Sequence, residues 1–318
     1  MMSTVKYSVV IPCYASASGL KELVCRIAKV MAQYEPFEVI FVNDQSPDSE
    51  TWGVIERLAG EYGFVRGINL LYNVGQFRAT LCGLENAHGE FVITMDDDFQ
   101  HPPEELSKLI EAMKQNPTMD CIMGKYVNKL HSPWRNLGSR LMQGIIGSLY
   151  NKPAHLVTTS FRIMPVSFVK TLVLYRIASP QLGPLIVSIT KRIMNVSVEH
   201  HARKNGLSGY SLSYAIRETF QSIINASVVP LRVFSLLGFA TAGVAFLFGI
   251  YYLTRWSMGG TGVAGFTSLI LTISFFGGML LVGIGVLGEY VGRLIQEVTG
   301  MPRYEVQSIV GGADGKDH

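Results

Sequence analysis

Charge is scarce in this 318-residue sequence: Asp, Glu, Lys and Arg make up 16% of it, against 48% hydrophobic residues. With a mean hydropathy of +0.26, the chain is too apolar for an ordinary soluble protein, and part of it is expected in lipid. The charges present nearly cancel, leaving a formal +3. So small an excess gives no argument for a nucleic-acid partner, although it suits a surface facing anionic lipid or phosphate. Cysteine is sparse too. Cys13, Cys25, Cys82 and Cys121 are widely spaced with no C-x-x-C pair, so no zinc or disulfide framework is visible, and free thiols in a reducing compartment are expected. Met1 to Lys6 has no basic segment leading into an apolar stretch, so no signal peptide is read there. Internal repeats and low-complexity segments are missing as well.

What is present divides the chain in two. The first part alternates short apolar runs with helical patterns. Val5–Pro12, Phe37–Val42, Arg66–Leu71, Phe91–Met95 and Cys121–Gly124 read as strands. Leu20, Leu23, Val24, Ile27, Val30 and Met31 recur at helical spacing, and Pro102-Pro103-Glu104-Glu105 opens another helix with proline and acids in its first turn. Strands alternating with helices predict an α/β fold with a mainly parallel sheet, whose ligands bind at the carboxyl ends of the strands. Pro12-Cys13-Tyr14, Asn43-Asp44 and Asp96–Gln100 all fall at such ends.

The last third is different. Val233–Leu253 and Val263–Gly288 carry no charged residue, and each is long enough to cross about 30 Å of hydrocarbon. A short connection with Arg255 separates them, so they predict a transmembrane hairpin. Arg217 and Arg232 precede the pair while Arg293 and Arg303 follow it, which puts both flanks on the cytosolic side. Two segments look amphipathic: Leu137, Leu141, Ile145 and Leu149 beside Arg135 and Arg140, and Leu212, Ile216, Phe220 and Ile223 beside Arg217. Each either lies in the membrane interface or packs on the soluble core. The expected division is a cytosolic domain over 1–210, an interface helix over 211–230, the hairpin over 231–292 and a cytosolic tail over 293–318, polar and unstructured from Gly311 onward.

The sharpest chemical signal is Asp96-Asp97-Asp98-Phe99-Gln100. Three acids at a strand end repel one another unless a cation or solvent relieves them. Carboxylate oxygens suit Mg²⁺ or Mn²⁺, which would bridge a diphosphate and neutralise charge developing on a leaving group. Taken alone, a solvated acidic loop is an equal reading.

The segments Ser8-Val9-Val10-Ile11-Pro12-Cys13-Tyr14, Val42-Asn43-Asp44-Gln45-Ser46, Asn73-Val74-Gly75-Gln76 and Asp96–Glu104 occur in that order. Together they resemble the family 2 glycosyltransferases of GT-A fold, whose members read VVIPxYN, DDGS, NxGQ or NxGK, and DADLQxPPE at these places. Gly288-Glu289-Tyr290-Val291-Gly292-Arg293, followed by Pro302-Arg303-Tyr304, looks like the polyprenyl-phosphate glycosyltransferases with two C-terminal spans. Among these are bactoprenol glucosyltransferases and undecaprenyl-phosphate formamidoarabinose transferases. Thr158-Thr159-Ser160-Phe161-Arg162 is similar to the TGSFR of dolichyl-phosphate mannose synthases.

The resemblance implies a nucleotide-sugar donor, with UDP favoured, a polyprenyl phosphate acceptor such as undecaprenyl phosphate, Mg²⁺ or Mn²⁺, a lipid bilayer, and a homo-oligomer, a tetramer among the options. It implies the bacterial inner membrane with a cytosolic catalytic domain. By position, Pro12, Tyr14, Asp44, Asn73, Gly75, Asp96 and Asp97 serve the nucleotide; Asp96, Asp98 and Gln100 serve the metal; Asp98 and Arg162 carry catalysis. Arg135, Arg140, Arg203 and Lys204 would meet the acceptor phosphate. Structural alternatives stand beside these: Tyr14 as a packing aromatic, Asn73 and Gly75 as turn-formers, Arg162 in an ion pair, Arg203 and Lys204 as solvated charges.

The chain also departs from the family. An acid often precedes the Phe-Arg step, but the corresponding residues here are Ser160 or Leu156. The usual glycine–serine–lysine step reads Gly206-Leu207-Ser208-Gly209-Tyr210, Asp44-Gln45-Ser46 replaces the DDGS pattern, and Asp97 replaces a small residue. The missing acid does not exclude catalysis. A phosphate monoester with a second pKa of about 6 is mostly dianionic at neutral pH and needs no proton removed, whereas a sugar hydroxyl would need a general base. Its absence therefore favours a phosphate acceptor. A different lipid or glycan acceptor is the first rival, although the QxxRW of processive synthases is not seen. A catalytically silent scaffold is the second.

Overall fold

The computed structural model describes residues 5–126, 156–175, 182–199, 229–258, 265–298 and 302–312. The chain forms two compact units, Met1–Ser211 with Pro302–His318, and Leu212–Met301.

The first unit is built on an eight-stranded sheet ordered β7-β5-β6-β4-β1-β2-β3-β8. Its centre is parallel: β1 (Tyr7–Cys13) lies between β2 (Phe37–Asn43) and β4 (Phe91–Thr94), and β3 (Val65–Leu70) follows β2. β6 (Arg162–Pro165) runs antiparallel to β4 and to β5 (Cys121–Tyr126), and β7 (Ile193–Val198) pairs parallel with β5. All seven residues of β1 are buried, as expected of a strand covered by helices on both faces.

The strands alternate their side chains between two cores. Val9, Ile11, Val39 and Phe41 face one core with Leu20, Leu23, Val24, Ile27 and Met31 of α1 (Ala17–Met31), joined by α2 (Ser49–Glu61) and α4 (Leu106–Gln115). These five α1 positions are the stripe its sequence period predicts. Val10, Ile40 and Val42 face the other core with α3 (Gln76–Glu85), α5 (Val166–Leu174) and α6 (Leu182–Ile189). Helix α3 lies so close that a Cβ on Gly83 would sit 2.3 Å from Val10 Cγ1.

The sequence separates 293–318 as a tail, but β8 (Val306–Gly311) within it pairs antiparallel with β3. Val306, Ser308 and Val310 are half-buried and alternate with exposed neighbours. The bare edge of β3 supplies the ladder partner that local sequence cannot reveal.

The second unit contains two long helices, α7 (Val229–Ser257) and α8 (Phe266–Val298). Among the described residues, Phe275–Gly292 in α8 is long and apolar enough to cross a membrane, with mean hydropathy 1.6. Both amphipathic segments, apart from the last two residues of the 211–230 interface helix, and also Arg135, Arg140, Arg203 and Lys204, lie outside the described residues.

Candidate active site

The four central parallel strands end on one side of the sheet, and the chemistry gathers there. Because β6 runs the other way, its first residue, Arg162, pairs with the last residue of β4, Thr94. A segment distant in sequence is thereby brought beside Asp96.

Pro12 is buried, Tyr14 is 54% exposed, and Ala15 adopts φ +53. Asp44 follows β2 and is buried, and it fastens the loop after β3. Its Oδ1 accepts from Val74 N at 2.7 Å, and its Oδ2 accepts from Gly75 N at 2.9 Å and Asn73 Nδ2 at 3.2 Å. Asn73 Nδ2 also donates to the Asp44 carbonyl at 2.9 Å. Burial pushes the Asp44 carboxyl up, and the two backbone N–H groups oppose that shift. Three of the roughly four lone-pair positions of a carboxylate are thus occupied by the loop. Gly75 opens α3 at φ +86, a conformation that glycine adopts without a Cβ penalty.

Asp96 is held at both oxygens. Gln76 Nε2 donates to Oδ1 at 2.7 Å and Ser160 Oγ to Oδ2 at 2.5 Å. The backbone N–H of Gln100 donates to Asp98 Oδ1 at 3.1 Å, closing the loop so that Asp98 and Asp96 converge. Ligand atoms of Asp96, Asp98 and His101 lie within 4.8 Å of one another. His101 is buried between the rings of Phe161 and Tyr126, at 5.1 and 5.6 Å, and its Nε2 contacts the Tyr126 hydroxyl. Two carboxylates and an imidazole form a donor set fit for a divalent transition ion. Sequence reasoning named Gln100 as the third metal ligand and passed over His101, although it stands in the same motif. Proximity of Oδ and ring nitrogen atoms is what identifies it.

Asp97 takes a different direction from its two neighbours. Its Oδ2 is sealed from solvent, and its surroundings are Ser16 and Cys13 beside the start of α1. Burial pushes its carboxyl up to about 6, with Asp96 and Asp98 adding to the shift and Ser16 opposing it. Asp97 therefore does not join the cluster. Its folded-state pKa lies above the roughly 3.9 of an unfolded aspartate, so the native state binds this proton more tightly. That advantage is complete below about pH 4 and is lost as pH rises through about 6. We expect Asp97→Asn to stabilise the metal-free protein near pH 7.5 by on the order of 1–2 kcal/mol and to change little near pH 4. Thermal melts in detergent at the two pH values check this.

Arg162 is 3% exposed. Its Nε donates to Thr94 Oγ1 at 3.1 Å and to the Ser160 carbonyl at 3.4 Å. Its buried Nη1 has no hydrogen-bond partner among the described residues. Burial lowers its pKa, while Cys121 and Asp96 oppose that shift. A buried guanidinium N–H without a partner among the described residues is a group that an anion would stabilise.

An α/β sheet with a carboxylate cluster, a buried arginine and a strapped loop at its strand ends has the form of a nucleotide-sugar enzyme. The family described as Glycosyl transferase family 2 matches residues 8–173, and this chain belongs to it: the protein is a glycosyltransferase of GT-A fold. It is 31% identical to the undecaprenyl-phosphate 4-deoxy-4-formamido-L-arabinose transferase of Aeromonas hydrophila subsp. hydrophila over 96% of this chain and 94% of that one. It is also 31% identical to the enzyme of the same name from Edwardsiella ictaluri, over 95% and 94%. Among solved structures it is similar to glucosyl-3-phosphoglycerate synthase from Mycobacterium tuberculosis in complex with Mn²⁺, UDP and phosphoglyceric acid. The TM-score is 0.52 at 14% identity, covering 70% of this chain and 77% of that one.

Proposed function

We propose that the protein transfers one sugar from a nucleotide-sugar, UDP-linked by preference, to a polyprenyl phosphate such as undecaprenyl phosphate, with inversion at the anomeric carbon. The observation that carries this reading is the Asp96–Asp98–His101 cluster at the strand ends, with buried Arg162 paired to Thr94 at the end of β4. The relatives' names, which apply over almost the whole chain, support the acceptor.

In this reading Asp96, Asp98 and His101 hold the metal, with Gln100 beside them; an imidazole in the set favours Mn²⁺ over Mg²⁺. When bound, the ion supplies charge neutralisation for a departing diphosphate. Gln76 and Ser160 keep Asp96 from turning away. Tyr14 offers an exposed ring to the base, and Asp44 has one lone-pair position left for an imide N–H, in a pocket shaped by Pro12, Asn73 and Gly75. Arg162 meets a phosphate oxygen, while Arg135, Arg140, Arg203 and Lys204 serve the acceptor phosphate. The acceptor's phosphate oxygen forms the new bond to the anomeric carbon as the carbon–oxygen bond to the diphosphate breaks, and the electron pair leaves with the nucleotide. No side chain need remove a proton, which suits the serine at position 160. Positioning and charge stabilisation supply the catalysis.

Helices α7 and α8 are read as a membrane hairpin in the bacterial inner membrane, with the catalytic unit cytosolic. Exposed Phe239, Phe246 and Leu247 on α7, and Phe275, Leu280 and Leu281 on α8, support it. Such apolar surface is costly in water. The experiment is transfer to undecaprenyl phosphate in detergent, with mass spectrometry of the product across a panel of nucleotide sugars, with Mn²⁺ and with chelator. A sugar phosphodiester formed only with metal is expected. Undiminished turnover in chelator, or transfer to hydroxyl acceptors alone, would refute the proposal.

A further inference from the structure

The donor pocket is tied to the last strand of the sheet by a file of polar side chains. The Ala15 backbone N–H donates to Ser46 Oγ at 3.0 Å, and Ser46 Oγ donates to Asn43 Oδ1 at 2.6 Å. Asn43 Nδ2 then donates to Asn69 Oδ1 at 2.7 Å, and Asn69 Nδ2 donates to Gln307 Oε1 at 3.0 Å. The file crosses from the loop after β1 through β2 and β3 to β8. All four bonds point the same way, so each polarises the next.

Its middle and its ends differ in character. Asn43 and Asn69 are 3% and 8% exposed, so a missing partner there would cost a buried hydrogen bond. At the pocket end, Ala15 at φ +53 and Gln45 at φ +45 are non-glycine residues in left-handed backbone. Such conformations persist only where the surroundings over-determine them. The Ser46 hydroxyl, directly after Gln45, grips Ala15, directly after Tyr14. At the far end, Gln307 is an exposed residue on the outermost strand.

We infer that Asn69 and Gln307 are positioning residues for donor binding: β8, through this file, fixes the Tyr14–Ala15 turn over which the nucleotide is bound. The inference rests on the reading of this strand end as the donor pocket. Neither residue touches that pocket. Both act through Asn43 and Ser46, so their loss should appear in nucleotide affinity and not in the affinity for the lipid.

The test is calorimetric titration of UDP, in the presence of Mn²⁺, into the full-length protein in detergent. Failure of the wild type to bind UDP would sink the reading of the pocket itself. Given wild-type binding, Gln307→Leu is expected to weaken it about 3-fold and Asn69→Leu about 10-fold. Gln307→Glu, which still presents an acceptor to Asn69 Nδ2, is expected to restore wild-type affinity. The KM for undecaprenyl phosphate should stay put in all three. Because Asn69→Leu is a core change, the deciding measurement is a double-mutant cycle between exposed Gln307 and Ser46. The penalty of Gln307→Leu should vanish in a Ser46→Ala background. Equal UDP affinity in Gln307→Leu and wild type, or penalties that simply add in the double variant, would overturn the inference.

Discussion

Asp98→Ala in the full-length protein is expected to lose about 10³-fold in kcat/KM, because a metal worth several kcal/mol of transition-state charge stabilisation loses a ligand. The geometry explains why Asp98 is the better target of the two carboxylates. Asp96 is bonded by Gln76 and Ser160, so its removal would also release the start of α3 at Gln76 and the segment at Ser160 that leads into β6. Asp98 accepts from the N–H of Gln100, two residues on, within its own loop, and its removal relieves repulsion on the buried Asp97. The variant should retain the wild-type melting temperature without metal and lose most of the stabilisation that added Mn²⁺ gives the wild type. An active Asp98→Ala enzyme, or one that Mn²⁺ still stabilises in full, would remove the cluster from the mechanism.

Arg162→Met is expected to lower kcat/KM by about 10²-fold, within the range of removing one charge-stabilising donor, while leaving thermal stability unchanged or raised. The two effects separate the two roles the sequence left open. A member of a buried ion pair strands its partner when removed and costs about 3–5 kcal/mol. Among the described residues Arg162 donates to the neutral oxygens of Thr94 and Ser160 and its buried Nη1 has no partner. Its charge is unfavourable in the empty protein and useful once a phosphate arrives, the usual conflict between stability and activity at a site. Arg162→Lys should not restore the rate, since an ammonium has no planar fork. A melting temperature that drops sharply in Arg162→Met would point to a structural role.

The parts of the fold that sequence disclosed were those fixed by local pattern. Tyr7–Cys13, Phe37–Asn43 and Phe91–Thr94 are short runs rich in β-branched and aromatic residues, and α1 buries Leu20, Leu23, Val24, Ile27 and Met31, all on the stripe its period marks. What stayed hidden depends on distant partners. β6 is four residues long and is a strand only because β4 and β5 flank it. β8 needs an edge that lies 238 residues back, as the bond from Asn69 to Gln307 measures. At the site, Asp96, Asp98 and Arg162 could be named from motif order, but the direction of each side chain could not. One triplet of acids divides, two toward the cluster and Asp97 toward Ser16. Asp44, assigned to the base, is mostly engaged by the loop it fastens. His101 emerged only when the chain folded it between two rings.

The place of β8 at the end of the chain also sets a timetable for making this protein. Its partner β3 leaves the ribosome first, and both long helices must be synthesised before Val306–Gly311 can join the sheet. At about 5–20 residues per second, that interval is roughly 10–50 s. During it the edge of β3 is bare, open to any passing strand, and the sheet cannot be completed until translation of the apolar helices is over.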